Sequence, residues 1–80
     1  MGASTHSEEY QEFLKRLRSA RLEAGLTQAE VAKRLGQPQP YVSKCESGER
    51  RVDVVELAQF ATIYNKPIDY FVWAILDSNQ

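Results

Sequence analysis

The sequence predicts an all-α domain, and three observations carry that expectation. Apolar side chains recur at spacings of three and four residues, capping boxes open two of the stretches, and glycine or asparagine closes them. No stretch alternates with period two, so no strand is expected. The result is a compact five-helix domain with helices at 8–24, 28–35, 39–47, 54–64 and 67–77, joined by short connections.

Each element follows from local chemistry. Thr5 and Ser7 are alternative openings for the first helix, and Glu8 and Glu9 stand where the helix dipole favours negative charge. Its inward stripe is Tyr10, Phe13, Leu14, Leu17 and Leu22. The second helix starts at Thr27-Gln28-Ala29-Glu30, a capping box in which hydroxyl and carboxylate exchange backbone hydrogen bonds. Asp53-Val54-Val55-Glu56 starts the fourth in the same way, with Val54, Leu57, Ala58, Ala61 and Tyr64 as its stripe and Phe60 on an adjoining flank. Pro67 suits the first position of the last helix, whose core-facing residues are Ile68, Phe71, Val72 and Ile75. Gly25, Gly36, Gly48 and Asn65 are placed to take the left-handed conformation that ends a helix.

Length and composition bound the function. Eighty residues make one domain, and 42% hydrophobic with 26% charged residues is ordinary for a folded globular chain. The division expected is a flexible arm at 1–7, a helical domain at 8–77 and a tail at 78–80. No apolar run approaches the ~20 residues that cross a bilayer, and residues 1–7 lack the apolar core of a secretory signal. A single cysteine, Cys45, excludes an internal disulfide and fits a cytoplasmic location; its expected place is the core. One cysteine and one histidine cannot supply the ligands of a zinc site, so no metal is expected. No cofactor or small-molecule site is evident. Paired carboxylates and a nucleophile with a matching base are missing too, which argues against an enzyme.

Net charge is −1, yet its distribution is uneven. Residues 15–51 carry nine basic against four acidic side chains, a net of +5, between two ends of net −3 each. Phosphate binding depends on the local field, so this basic centre is compatible with a nucleic-acid partner.

The centre reads TQAEVAKRLGQPQPYVSKCESGERR. Two short helices at 28–35 and 39–47 are joined tightly, a helix-turn-helix spanning 28–47. Ala32 is small enough for a steep crossing, and Gly36 accepts positive φ in the turn. Val31 and Leu35 from the first helix, with Val42 and Cys45 from the second, face inward.

With LRSARLEAGLTQAEVAKRLG, YVSKCESGERR and VELAQFATIYNKPIDYF in order, residues 14–71 resemble the Xre-type, lambda-repressor-like helix-turn-helix family. The resemblance implies a five-helix DNA-binding domain that lays its third helix in the major groove of a pseudo-palindromic operator. Carried over by position, it implies base contacts from Gln39, Ser43 and Lys44, with Gln39 suited to adenine and Lys44 to guanine or phosphate. Gln28 would brace a phosphate and the first base-reading side chain; Tyr41, Ser47, Arg50 and Arg51 would lie on the DNA backbone. Arg21 and Glu46 match a buried ion pair tying the first helix to the third. Lys15 and Arg18 are read as solvated surface. Three positions depart from the family pattern. Gln37 and Cys45 stand where larger apolar residues are common, and Pro40 replaces a polar residue that often contacts a base. Pro40 is tolerable in a first turn but disfavours the α conformation at Gln39.

The last helix has more apolar surface than one face needs. Tyr70, Trp73 and Leu76 lie outside the inward stripe and predict a partner, expected to be a second copy in a two-fold homodimer. The expected function is therefore a dimeric transcriptional regulator acting as a repressor on double-stranded DNA. The alternative is a protein-interaction module, such as an antitoxin, whose aromatic helix binds a different chain.

Overall fold

The computed structural model describes residues 7–72, which form helices and no strand. The order is α1 (Glu8–Glu23), α2 (Gln28–Leu35), α3 (Gln39–Ser47), α4 (Val54–Tyr64) and α5, helical from 68 to the last described residue, 72. Trp73, Ile75 and Leu76 lie outside the described residues. None of the described helices is long and apolar enough to cross a membrane.

Local chemistry sets the helix ends. Ser7, not Thr5, caps α1 by accepting from the Tyr10 amide at 3.1 Å. Both capping boxes close: Thr27 Oγ1 accepts from Glu30 N at 3.1 Å while Glu30 accepts from Thr27 N at 2.8 Å, and Asp53 and Glu56 do the same at 2.8 and 2.9 Å. Each cap satisfies amides that have no partner inside the helix. Gly36 and Gly48 end α2 and α3 at φ 69° and 85°, a backbone region costly for residues bearing a Cβ. Asn65 ends α4 at φ 57°.

The core is one cluster fed by every helix. Phe13, Leu14, Leu17 and Ala20 come from α1, Val31 and Ala32 from α2, Val42 and Cys45 from α3, Leu57, Phe60, Ala61 and Tyr64 from α4, and Phe71 from α5. Phe60 and Phe71 are the largest fully buried side chains. Ala32 is buried where α2 and α3 meet, which lets these two short helices approach closely.

Several sequence expectations need correction. Leu22 is 56% exposed; five residues from Leu17, it is turned by about 140° around a helix of 3.6 residues per turn. Arg21 continues the α1 stripe instead and is buried. On α4 the buried stripe is Leu57, Phe60, Ala61 and Tyr64, so Phe60 is central, whereas Val54 (75% exposed) and Ala58 face outward. Val54 sits in the first turn of α4, one turn before the buried stripe begins at Leu57. Ile68 is also exposed, and Phe71 alone of the described α5 residues is fully buried. Finally, α3 includes Gln39 in spite of Pro40 behind it. The local preference against the α conformation before proline is overridden by a first turn in which Tyr41 N donates to Pro38 O at 3.0 Å.

Candidate nucleic-acid interface

The outer surface of α3 is polar because its inner surface is committed. Val42 and Cys45 are fully buried, so Gln39, Ser43 and Ser47, spaced by four, rise along the opposite side, with Lys44 beside them; all four are exposed. These are the donors and acceptors that read base edges and phosphates. Ser47 also braces the helix end, donating to Lys44 O at 3.2 Å and accepting from Glu49 N at 3.3 Å. Burial pushes the Cys45 thiol pKa up, so the thiolate is disfavoured and the residue serves as packing.

Arg21 and Glu46 tie α1 to α3. Arg21 Nε donates to Glu46 Oε2 at 2.6 Å and Nη2 to Oε1 at 3.2 Å, while Nη1 donates to Leu26 O at 3.0 Å. The two side chains are only 10% and 6% exposed, and the carboxylate holds the Arg21 pKa above its ordinary value. Gln28 joins the same carboxylate, its Nε2 donating to Glu46 Oε1 at 3.0 Å. That bond orients the carboxamide, and it has no local signal in the sequence, since the partners lie eighteen residues apart.

Next to Gln28 opens a shallow cleft of about 450 Å³ lined by Arg18, Arg21, Thr27, Gln28, Ala29 and Gln39. It brings the starts of α2 and α3 together beneath an exposed arginine. From the sequence alone Arg18 reads as solvated surface. The available signal was its spacing of three from Arg21, which puts both on adjoining faces of α1.

The loop from α3 to α4 is held differently. Arg50 Nη1 donates to Glu56 Oε1 at 2.9 Å and to Arg51 O at 3.1 Å, and Nη2 donates to Glu56 Oε2 at 2.7 Å. The Arg50 guanidinium also lies 4.8 Å from the centre of the Tyr41 ring. Tyr41 is half-buried and stacks in turn on Phe60, with ring centres 6.4 Å apart and planes 15° apart. Burial raises the Tyr41 pKa to about 12. Arg51 is exposed and crosses the Tyr10 ring at 5.0 Å, while the Tyr10 hydroxyl accepts from Val52 N at 3.0 Å. The resemblance implies separate DNA-backbone contacts from Tyr41 and Arg50; the structure brings these two side chains against each other within the chain.

On the far side, Tyr70 is packed against its own α1. Arg16 and Lys66 lie 5.6 and 4.6 Å from its ring centre, and its hydroxyl is 3.5 Å from Glu23. Glu23 in turn accepts from Lys66 Nζ at 2.7 Å, an interaction that lowers its pKa. Of the three residues expected at a dimer interface, the other two, Trp73 and Leu76, lie outside the described residues. No cluster of three or more His, Cys, Asp or Glu side chains suited to a metal occurs among the described residues.

Comparison with known proteins agrees with this geometry. The helix-turn-helix family matches residues 17–71. The solved structure of an XRE-family like protein from Pseudomonas syringae pv. tomato str. DC3000 is 41% identical, covers 94% of this chain and 90% of its own, and superposes with a TM-score of 0.79. No curated protein matches the sequence. With 55 of the 80 residues matched by the family and a 41% identical relative covering 94% of the chain, the chain belongs to the XRE-type helix-turn-helix family of DNA-binding regulators.

Proposed function

We propose that the protein is a sequence-specific repressor that binds a pseudo-palindromic operator as a homodimer in the cytoplasm, with α3 in the major groove. The observation that carries this reading is the exposed polar row Gln39, Ser43 and Lys44 on a helix whose opposite side is locked into the core. Gln39 is suited to adenine N6 and N7, and Lys44 to guanine O6 and N7. Gln28, Ser47 and Arg51 flank that row and would position it through phosphates. Arg18, which lines the same cleft as Gln39, adds a cation there. Occluding a promoter is the simplest action for such a domain. The dimer would pair the last helices through Trp73 and Leu76, setting the recognition helices ~34 Å apart, one turn of B-DNA.

The test is selection of bound sequences from a random duplex library at near-physiological salt. Enrichment of two inverted half-sites about ten base pairs apart is the expected result. Salt-sensitive background binding with no enriched motif would overturn the reading.

A second reading, a protein-interaction module such as an antitoxin, draws on the exposed Val54 and Val55 at the start of α4, 75% and 65% exposed. A light-scattering mass separates the two: a dimer at micromolar concentration fits the regulator, and a monomer fits the module.

A further inference from the structure

We infer that Arg50 is a positioning residue, which sets the angle of α3 through Tyr41 and Glu56, and is not a phosphate ligand. The inference rests on the DNA-binding reading above and assigns a different task to one of its cations. The geometry is the starting point. Three of the five guanidinium N–H groups are in use, two on Glu56 and one on the Arg51 carbonyl. The guanidinium carbon lies over the Tyr41 ring at 4.8 Å, and Tyr41 stacks on the fully buried Phe60. A continuous column therefore runs from the rim of the interface into the core.

Glu56 cannot follow Arg50 elsewhere without loss. Its Oε1 also accepts from Asp53 N, so the carboxylate that holds the fork is the one that caps α4. Moving Arg50 to a phosphate would break two charge-assisted bonds and leave the capping carboxylate without its cation.

The position of the column along α3 explains what it does. Glu46, in the last turn, is bonded to α1 through Arg21, and Tyr41, in the first turn, is held toward α4 through Arg50 and Phe60. These points are separated by about 7.5 Å along the helix at 1.5 Å per residue. Val42 and Cys45 hold the middle of α3 in the core, and the two polar anchors, one in each end turn, set its direction. Gln39 and Ser43 lie on either side of Tyr41, so their reach into a groove follows that direction. Arg51, exposed and lying over the Tyr10 ring, stands next to the column.

Two conservative variants separate this role from phosphate binding. Arg50→Lys keeps the charge and loses the planar fork, and Glu56→Gln keeps the α4 cap, since glutamine also completes a capping box, but loses the ion pair. Both are compared with wild type on the selected operator and on a scrambled duplex across a salt series, below the melting temperature read by circular dichroism. Positioning predicts that each variant loses about tenfold in operator affinity, equivalent to ~1.4 kcal/mol. Scrambled-duplex binding and the salt slope stay as in wild type, and the double variant is no worse than either single one. A phosphate ligand restrained by Glu56 predicts the opposite: Glu56→Gln binds both duplexes more tightly with a steeper salt slope, and Arg50→Lys matches wild type. That result overturns the inference, as does wild-type operator affinity in both variants. Amide chemical shifts of residues 39–47 in the DNA-free proteins provide the independent arm. They are expected to move in both variants, and unmoved shifts overturn the positioning role. A wild-type protein without sequence preference would instead overturn the DNA-binding reading, leaving those shifts to judge the column.

Discussion

Two arginine–glutamate pairs hold α3, and they sit in different surroundings. Arg21 and Glu46 meet inside the body, with side chains 10% and 6% exposed; Arg50 and Glu56 meet at the rim, 41% and 17% exposed. The inner pair shares its carboxylate with Gln28, and the outer pair shares its carboxylate with the cap of α4. Water screens the outer pair and does little for the inner one, so the two differ in how much folding depends on them. The inner pair is a condition for the fold. The outer pair acts on direction, and its effect belongs in binding more than in stability.

Removing half of the inner pair is the largest perturbation expected. Glu46→Ala leaves the Arg21 guanidinium buried with only the Leu26 carbonyl and releases Gln28, at a cost of ~3–5 kcal/mol. Urea unfolding checks this, with Glu56→Ala as the reference; a larger loss in the reference would break the contrast between the pairs. Next in size is Lys44→Ala, expected to weaken operator binding by ~1–3 kcal/mol at unchanged melting temperature. Arg51→Ala should weaken every duplex alike and lower the salt slope by ~1, so titration of both variants on operator and scrambled DNA separates base reading from phosphate contact. Thr27→Ala removes the side-chain acceptor at the start of α2 and should cost ~1 kcal/mol by thermal denaturation. No measurable loss would show that the cap is replaced by water.

The smallest effect is in pH dependence. Hydrogen bonds from Arg50 hold the Glu56 carboxyl at about 2, below its ordinary 4.5. A depressed value means that its contribution is complete above 4.5 and is lost as pH falls toward 2. The stability difference between wild type and Glu56→Gln should therefore shrink on acidification through that window. A difference that grows there would show the carboxylate to be destabilising in the fold.

The helix ends were legible because their causes lie within four residues. Thr27 with Glu30 and Asp53 with Glu56 close as their spacing requires, and Gly36, Gly48 and Asn65 end helices where a left-handed residue is needed. The inner ion pair was legible only through a family resemblance, since Arg21 and Glu46 are twenty-five residues apart. Leu22 and Val54 misled because apolarity alone does not bury a side chain. Leu22 points off the stripe that Arg21 occupies, and Val54, in the first turn of α4, is 75% exposed.

What the sequence alone determined was the set of helices, their caps and the helix-turn-helix at 28–47, since hydrophobic period, capping chemistry and glycine placement act over one or two turns. Tertiary structure decided which groups each loop arginine meets. Arg50 and Arg51 are neighbours of identical chemistry, yet one is forked onto Glu56 and stacked on Tyr41 while the other is exposed beside Tyr10. Nothing local distinguishes them. The choice was made by where α4 and Phe60 place a carboxylate and an aromatic face, and only the packed chain brings those groups together.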